Sequence, residues 1–136
     1  NYKISPSIPV EHFKGVNTLE EGYALVPKLL SDCNLRGLQS TLFVTNDNVA
    51  IGIINRLYEL ELKIPEQVSI IGYDNIKLAS LCRVPLTTIS QSCGSMGTIA
   101  AKELLDMVNC NARKTCSHLI IPELLVRESS RLPLYR

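Results

Sequence analysis

Three polar groups in this chain stand directly behind apolar, β-branched runs. Asn46 and Asp47 follow Thr41-Leu42-Phe43-Val44-Thr45, Asp74 and Asn75 follow Val68-Ser69-Ile70-Ile71-Gly72-Tyr73, and Gln91 follows Thr87-Thr88-Ile89-Ser90. Such runs, bounded by turn residues, read as buried strands, and open α/β sheets bind small molecules in the loops beyond the carboxyl ends of their strands. Asp74 suits a ligand hook, because an ionised carboxylate accepts two hydrogen bonds from adjacent hydroxyls, as a sugar or nucleoside presents them. Its alternative role is to cap the turn into Asn75 to Leu81. Asn46 offers both donors and an acceptor to a polyhydroxy ligand, and its alternative is to cap a following helix beside Asp47.

Other chemistries lack their residues. There is no G-x-S-x-G elbow and no dinucleotide or P-loop fingerprint, and Gly94-Ser95-Met96-Gly97 reads as a packed helix start. His12 and His118 are too far apart for a metal motif, and the five cysteines, Cys33, Cys82, Cys93, Cys110 and Cys116, contain no C-x-x-C pair. We therefore expect no metal, no cofactor, no disulfide framework and a reducing cytoplasm. A net charge of +1 without a basic block leaves no electrostatic footprint for nucleic acid in this stretch. No apolar run approaches the ~20 residues of a membrane span, so no membrane partner is expected. The start, Asn1-Tyr2-Lys3-Ile4-Ser5-Pro6, has neither a secretory pattern nor an initiating methionine, so the chain reads as part of a longer protein.

The elements that must position the polar groups follow from periodicity. At 136 residues and 46% hydrophobic content the chain suits one globular domain. Thr18 and Glu21 form a capping box for a helix to Leu29 or Leu30, with Pro27 expected to kink it. A short strand near Ile8 to Val10 precedes it, and Asp32 to Gln39 is its exit loop. The strand Thr41 to Thr45 leads into a helix to about Leu60, the strand Val68 to Gly72 into a helical turn at Ile76 to Leu81, and the strand Thr87 to Ser90 into a helix from Ser95 to Val108. A loop, Asn109 to Ser117, and a strand, Leu119 to Val126, complete the pattern. Alternating strands and helices predict an α/β fold with a doubly wound parallel sheet. In the helix from Asn48 to Leu60 the apolar residues cover roughly twice the ~100° arc that a sheet face buries, so it is either deeply covered or part of an oligomer interface.

Taken together, Thr45-Asn46-Asp47, the run Ile64-Pro65-Glu66-Gln67-Val68-Ser69-Ile70-Ile71-Gly72-Tyr73-Asp74-Asn75, and Pro85-Leu86-Thr87-Thr88-Ile89-Ser90-Gln91 with Met96-Gly97 resemble, in order and spacing, the effector-binding region of lactose-repressor and galactose-repressor-type bacterial transcription regulators. The resemblance runs from about Thr18 to Ser130. It implies a type I periplasmic-binding-protein-like lobe, with residues 1–136 forming the carboxy-terminal part of a two-lobed sensor whose amino-terminal lobe and helix-turn-helix domain lie outside this chain. It implies effector contacts at Asp74, Asn46, Gln91 and Cys93, the last two where the chain crosses between lobes, and at Asn17, where many relatives carry a stacking aromatic. It implies a homodimer or higher homo-oligomer through Ile51, Ile54, Tyr58, Leu78 and Leu81. Arg127, in Leu124-Leu125-Val126-Arg127-Glu128-Ser129, matches the family's terminal arginine, for which we expect a structural salt bridge. The function implied is a repressor's sensing of a sugar or nucleobase-like metabolite, with operator DNA reached only through the absent domain. A periplasmic sugar-binding transport receptor is the alternative, and an enzyme a third reading that no catalytic motif supports.

Overall fold

The computed structural model describes residues 12–32, 40–110 and 117–131. The expected strand at Ile8 to Val10, most of the exit loop to Gln39, and Asn111 to Cys116 of the second loop lie outside the described residues. Helix α1 (Leu19–Asp32) opens on the capping box. The Glu21 N–H donates to Thr18 Oγ1 at 3.2 Å, while Glu21 Oε2 accepts from the N–H groups of Thr18 at 3.0 Å and Asn17 at 2.7 Å. Orphan donors at the helix start are thereby satisfied from both directions. Pro27 lies inside α1 on its exposed side, so the helical bond its missing N–H forfeits is on the solvent face.

Strand β1 (Ser40–Phe43), helix α2 (Asp47–Glu59), strand β2 (Val68–Tyr73), a 3-10 turn (Lys77–Ser80), strand β3 (Thr87–Ser90), helix α3 (Cys93–Cys110) and strand β4 (Glu123–Leu125) follow in order. They build one sheet in the order β1-β2-β3-β4. The first three strands are parallel, in registers that set Ser40 beside Val68 and Ile71 beside Thr87, which bears out the expected α/β class. The fourth runs antiparallel, pairing Thr88 with Leu125 and Ser90 with Glu123. It is also shorter than the expected Leu119 to Val126, since Pro122, immediately before it, has no N–H to give the ladder.

The broad apolar face of α2 is resolved by deep covering. Val49, Ala50, Ile53 and Leu57 join Val26 and Leu29 of α1, Val68 and Ile70 of β2, and Leu86 in one core. The two helices meet almost backbone to backbone. A Cβ on Gly22 would run into the Val49 carbonyl, and one on Gly52 would lie 2.9 Å from the Tyr23 amide nitrogen. Ile51 and Ile54 are consequently 2% and 0% exposed within this chain, which removes them from the expected intersubunit face. Tyr58, Leu78 and Leu81 remain on the surface, at 51%, 45% and 68% exposure. Helix α3 is the opposite of α2, with none of its described side chains buried.

Candidate functional site

The carboxyl ends of β1, β2 and β3 bring Asn46 and Asp47, Asp74 and Asn75, and Gln91 to Cys93 to one edge of the sheet. Asn46 caps α2, its Oδ1 accepting from the N–H groups of Asn48 at 2.8 Å and Val49 at 3.4 Å. This reverses the expectation that Asp47 is the cap and Asn46 the ligand contact, for Asp47 is fully buried instead. Its Oδ1 accepts from the Thr88 hydroxyl at 2.7 Å and its Oδ2 from the Ile76 N–H at 3.0 Å. Gly72 makes the slot, because a Cβ there would strike the Asp47 carboxyl and approach Leu86 Cδ2 to 2.8 Å. An isolated glycine inside a strand marks such close approaches, so this one was a readable signal for a group lying over β2.

Asp74 and Asn75 both have positive φ, 111° and 54°, a conformation that costs on the order of 1–3 kcal/mol per residue and persists only where surrounding contacts hold it. Three contacts hold the backbone. The Asp74 N–H donates to the Ile89 carbonyl at 3.0 Å, the Asn75 N–H to Thr88 Oγ1 at 3.3 Å, and the Ile76 N–H to Asp47. Thr88 thus donates to Asp47 and accepts from Asn75 with one hydroxyl. The turn needs no help from the Asp74 carboxyl, whose Oδ1 accepts from Gln91 Nε2 at 2.7 Å and whose Oδ2 takes part in no hydrogen bond among the described residues. A half-buried carboxyl presented in this way, beside an amide that fixes its rotamer, can bind adjacent hydroxyls or ring N–H groups.

Asp74 and Gln91 are therefore brought together, and Asn46 is engaged as the cap of α2. Cys93 opens α3 with an exposed free thiol, and Asn17 is exposed ahead of α1; no described hydrogen bond joins either to Asp74. Arg127 makes no salt bridge among the described residues. Its Nη1 donates to the Leu86 carbonyl at 2.7 Å and its Nη2 to Asn75 Oδ1 at 2.9 Å, both neutral acceptors.

A cleft of about 910 Å³ opens elsewhere, near the carboxyl end of α2, lined by residues including Tyr23, Tyr58, Glu59, Lys63 and Arg83. Volume alone would favour it, but several of its polar groups satisfy one another. The Tyr23 hydroxyl donates to Glu59, Arg56 joins both, and the Arg83 guanidinium lies 4.2 Å from the Tyr58 ring centroid. The hydroxyl of Tyr23 and the guanidinium of Arg56 hold the Glu59 carboxyl below the usual carboxylate range, as expected for a carboxylate already paired. Burial pushes the Cys82 thiol up, and its Sγ points at the Ala79 and Val84 carbonyls, so it is a packing group. Among the described residues no three His, Cys, Asp or Glu side chains gather as metal ligands, and no helix is long and apolar enough to cross a membrane.

Residues 8–130 match the model of the periplasmic binding protein-like domain. The chain is 35% identical over 127 residues to the HTH-type transcriptional repressor PurR of Pasteurella multocida, covering 93% of this chain and 36% of that protein. It is 40% identical over 90 residues to PurR of Vibrio vulnificus, covering 66% and 27% respectively. Among solved structures it is similar to a LacI family transcriptional regulator of Enterococcus faecium with bound ribose, at 31% identity and a TM-score of 0.73 over 83% of this chain and 40% of that one. The transcription regulator CcpA of Lactococcus lactis is similar at 26% identity and a TM-score of 0.76 over 88% and 42%. The chain spans about a third of the length of the curated relatives it matches. It belongs to the periplasmic binding protein-like domain family, and its likeness to LacI-type regulators bears out the resemblance read from the motifs.

Proposed function

From membership of that family we infer that this chain is the carboxy-terminal part of the effector-sensing region of a DNA-binding transcriptional repressor. The observation that carries this reading is the Asp74 turn, where the protein maintains two consecutive positive-φ residues in order to present a carboxyl that no described residue fully uses. A polyhydroxy or nucleobase-like metabolite is the chemistry that complements it, with Gln91 held against Asp74 and with Asn46, Cys93 and Asn17 as further contacts around it. The ribose held by the Enterococcus relative is of that class. Effector binding shifts the equilibrium between two arrangements of the lobes, and a helix-turn-helix domain outside this chain converts the shift into a change of operator affinity.

The exposed apolar side of α3, with Leu104, Leu105 and Val108, faces the amino-terminal lobe in this reading, and Tyr58, Leu78 and Leu81 face a second subunit. The protein acts in the cytoplasm and turns over no substrate. The curated relatives being repressors supports this over the transport receptor. Thermal-shift screening of the full-length protein against sugars and nucleobases tests it, because a ligand that binds only the folded state raises the melting temperature by mass action. A shift that is accompanied by altered operator binding is expected; a ligand that binds tightly without altering operator affinity would favour the transport receptor.

A further inference from the structure

The Asn75 side chain has one strong partner outside the strands that flank its turn. Arg127, 52 residues further along, reaches its Oδ1 at 2.9 Å while the other guanidinium arm holds the Leu86 carbonyl at 2.7 Å. A planar fork engaged at two points has little freedom left, so it fixes the direction in which Asn75 faces. The Arg127 backbone is fixed as well. Its N–H donates to Thr87 Oγ1 at 2.9 Å and its carbonyl accepts from the same hydroxyl at 3.2 Å. Two residues on, the fully buried Ser129 donates from Oγ to the Ile70 carbonyl at 2.6 Å and accepts there from the Thr87 N–H at 2.8 Å, so the segment after β4 is wedged between β2 and β3.

That fastening needs no arginine. Thr87, Ser129 and Ser130 already bind the terminal segment to the sheet with backbone and hydroxyl bonds. What the guanidinium adds is a bridge from the Leu86 carbonyl, immediately before β3, to the positive-φ turn. We propose that Arg127 is a positioning residue for the effector loop, acting through Asn75 to hold the orientation of Asp74 and linking that loop to the segment that follows β4. The proposal rests on the reading of Asp74 as an effector contact. It gives occupancy of the loop a direct mechanical route to a segment fixed across β2 and β3, since a shift of Asn75 has to move the guanidinium or break its bond.

Amide hydrogen exchange, read residue by residue by NMR on the full-length protein without effector, tests the role. In Arg127→Gln the loss of a charge-assisted bond should speed exchange at Asn75 and Ile76 by about 10-fold or more. Ile70 and Ser129 should change less than about two-fold, because their hydrogen bonds do not involve the guanidinium. Faster exchange confined to those strand and terminal amides, or spread evenly over the sheet, would overturn the proposal and leave Arg127 a structural fastener. If Arg127→Gln does not fold, Asn75→Asp decides: a charged acceptor should slow exchange in the loop, and unchanged exchange would overturn the role. Because no effector enters the measurement, its result is separate from the sensor reading, which fails on its own if replacing Asp74 leaves effector affinity unchanged.

Discussion

At the carboxyl edge of the sheet, side chains between 13 and 52 residues apart close on one another, so that Asp47, Thr88, Asn75 and Arg127 satisfy each other with little left over. Along α3 and the segment after it, Leu104, Leu105 and Val108 are 61–68% exposed, and Leu119 and Ile121 reach 93% and 80%. One region is completed by this chain, and the other presents the kind of surface that proteins cover with another body. The difference separates two kinds of requirement in one sequence. The polar edge must hold a strained turn whatever surrounds it, whereas the α3 wing acquires its stability from a partner, which we propose to be the amino-terminal lobe.

Asp47→Ala should damage the polar edge most. It strands the Thr88 hydroxyl and the Ile76 N–H in a buried site, a loss of roughly 2–4 kcal/mol that chemical denaturation of the full-length protein would register. A loss under about 0.5 kcal/mol would mean that the edge is not held through Asp47. The wing should behave in reverse. Leu105→Asp is expected to leave the stability of the 136-residue chain within about 0.5 kcal/mol, yet to destabilise the full-length protein by about 1.5–3 kcal/mol. Equal destabilisation of both would show that α3 is packed within this chain and would erase the contrast.

The polar edge was only partly legible in the sequence. The bounds of β3 fall where its β-branched run stops, whereas β1 ends at Phe43, before Val44 and Thr45; the placing of Asp74, Asn46 and Gln91 on one edge follows from the order of the strands alone. What pattern could not supply was which of two adjacent residues turns inward. Asn46 and Asp47 are equally good caps by type. The choice was made by Gly72, which opens space for one carboxyl over β2, a contact 25 residues removed that no local window contains. The excess apolar arc of α2 met the same limit. It signals covering or an interface alike, and the glycines at positions 22 and 52, which allow α1 to lie against α2, decide for covering at Ile51 and Ile54. At Arg127 the expected ion pair gives way to two neutral acceptors, the Leu86 carbonyl and the Asn75 amide oxygen, which lie 41 and 52 residues away and belong to no local pattern.

Tyr58 offers a finer test of which surfaces are left for partners. Tyr58→Asp should shift the full-length protein toward monomer with little change in melting, because its ring is half exposed and outside the core. Sedimentation that shows an unaltered dimer would remove this end of α2 from the interface. The smallest effect belongs to the start of α1. Thr18→Ala should cost about 1 kcal/mol by opening the capping box. Glu21, its reciprocal partner, is held below the usual carboxylate range by the N–H groups of Asn17 and Thr18. Its folded pKa is thus lower than its unfolded one, so the stabilisation is present above the unfolded value and is lost as pH falls through the folded one. The melting difference between wild type and Glu21→Gln should accordingly shrink below pH ~4, the usual carboxylate range, and a difference constant with pH would contradict the capping role.

In the function proposed here the Asp74 carboxyl is what the effector binds. Asparagine is the informative replacement, since it tolerates positive φ better than alanine and keeps an oxygen for the Gln91 amide. Calorimetric titration of wild-type and Asp74→Asn full-length protein, with whichever sugar or nucleobase most raises the melting temperature, should show affinity reduced by roughly 10- to 150-fold, the value of a charged hydrogen bond. The ligand-free melting temperature should stay the same. Equal affinities in the two proteins would remove Asp74 from the effector site, because the strained turn would then be presenting its carboxyl to nothing.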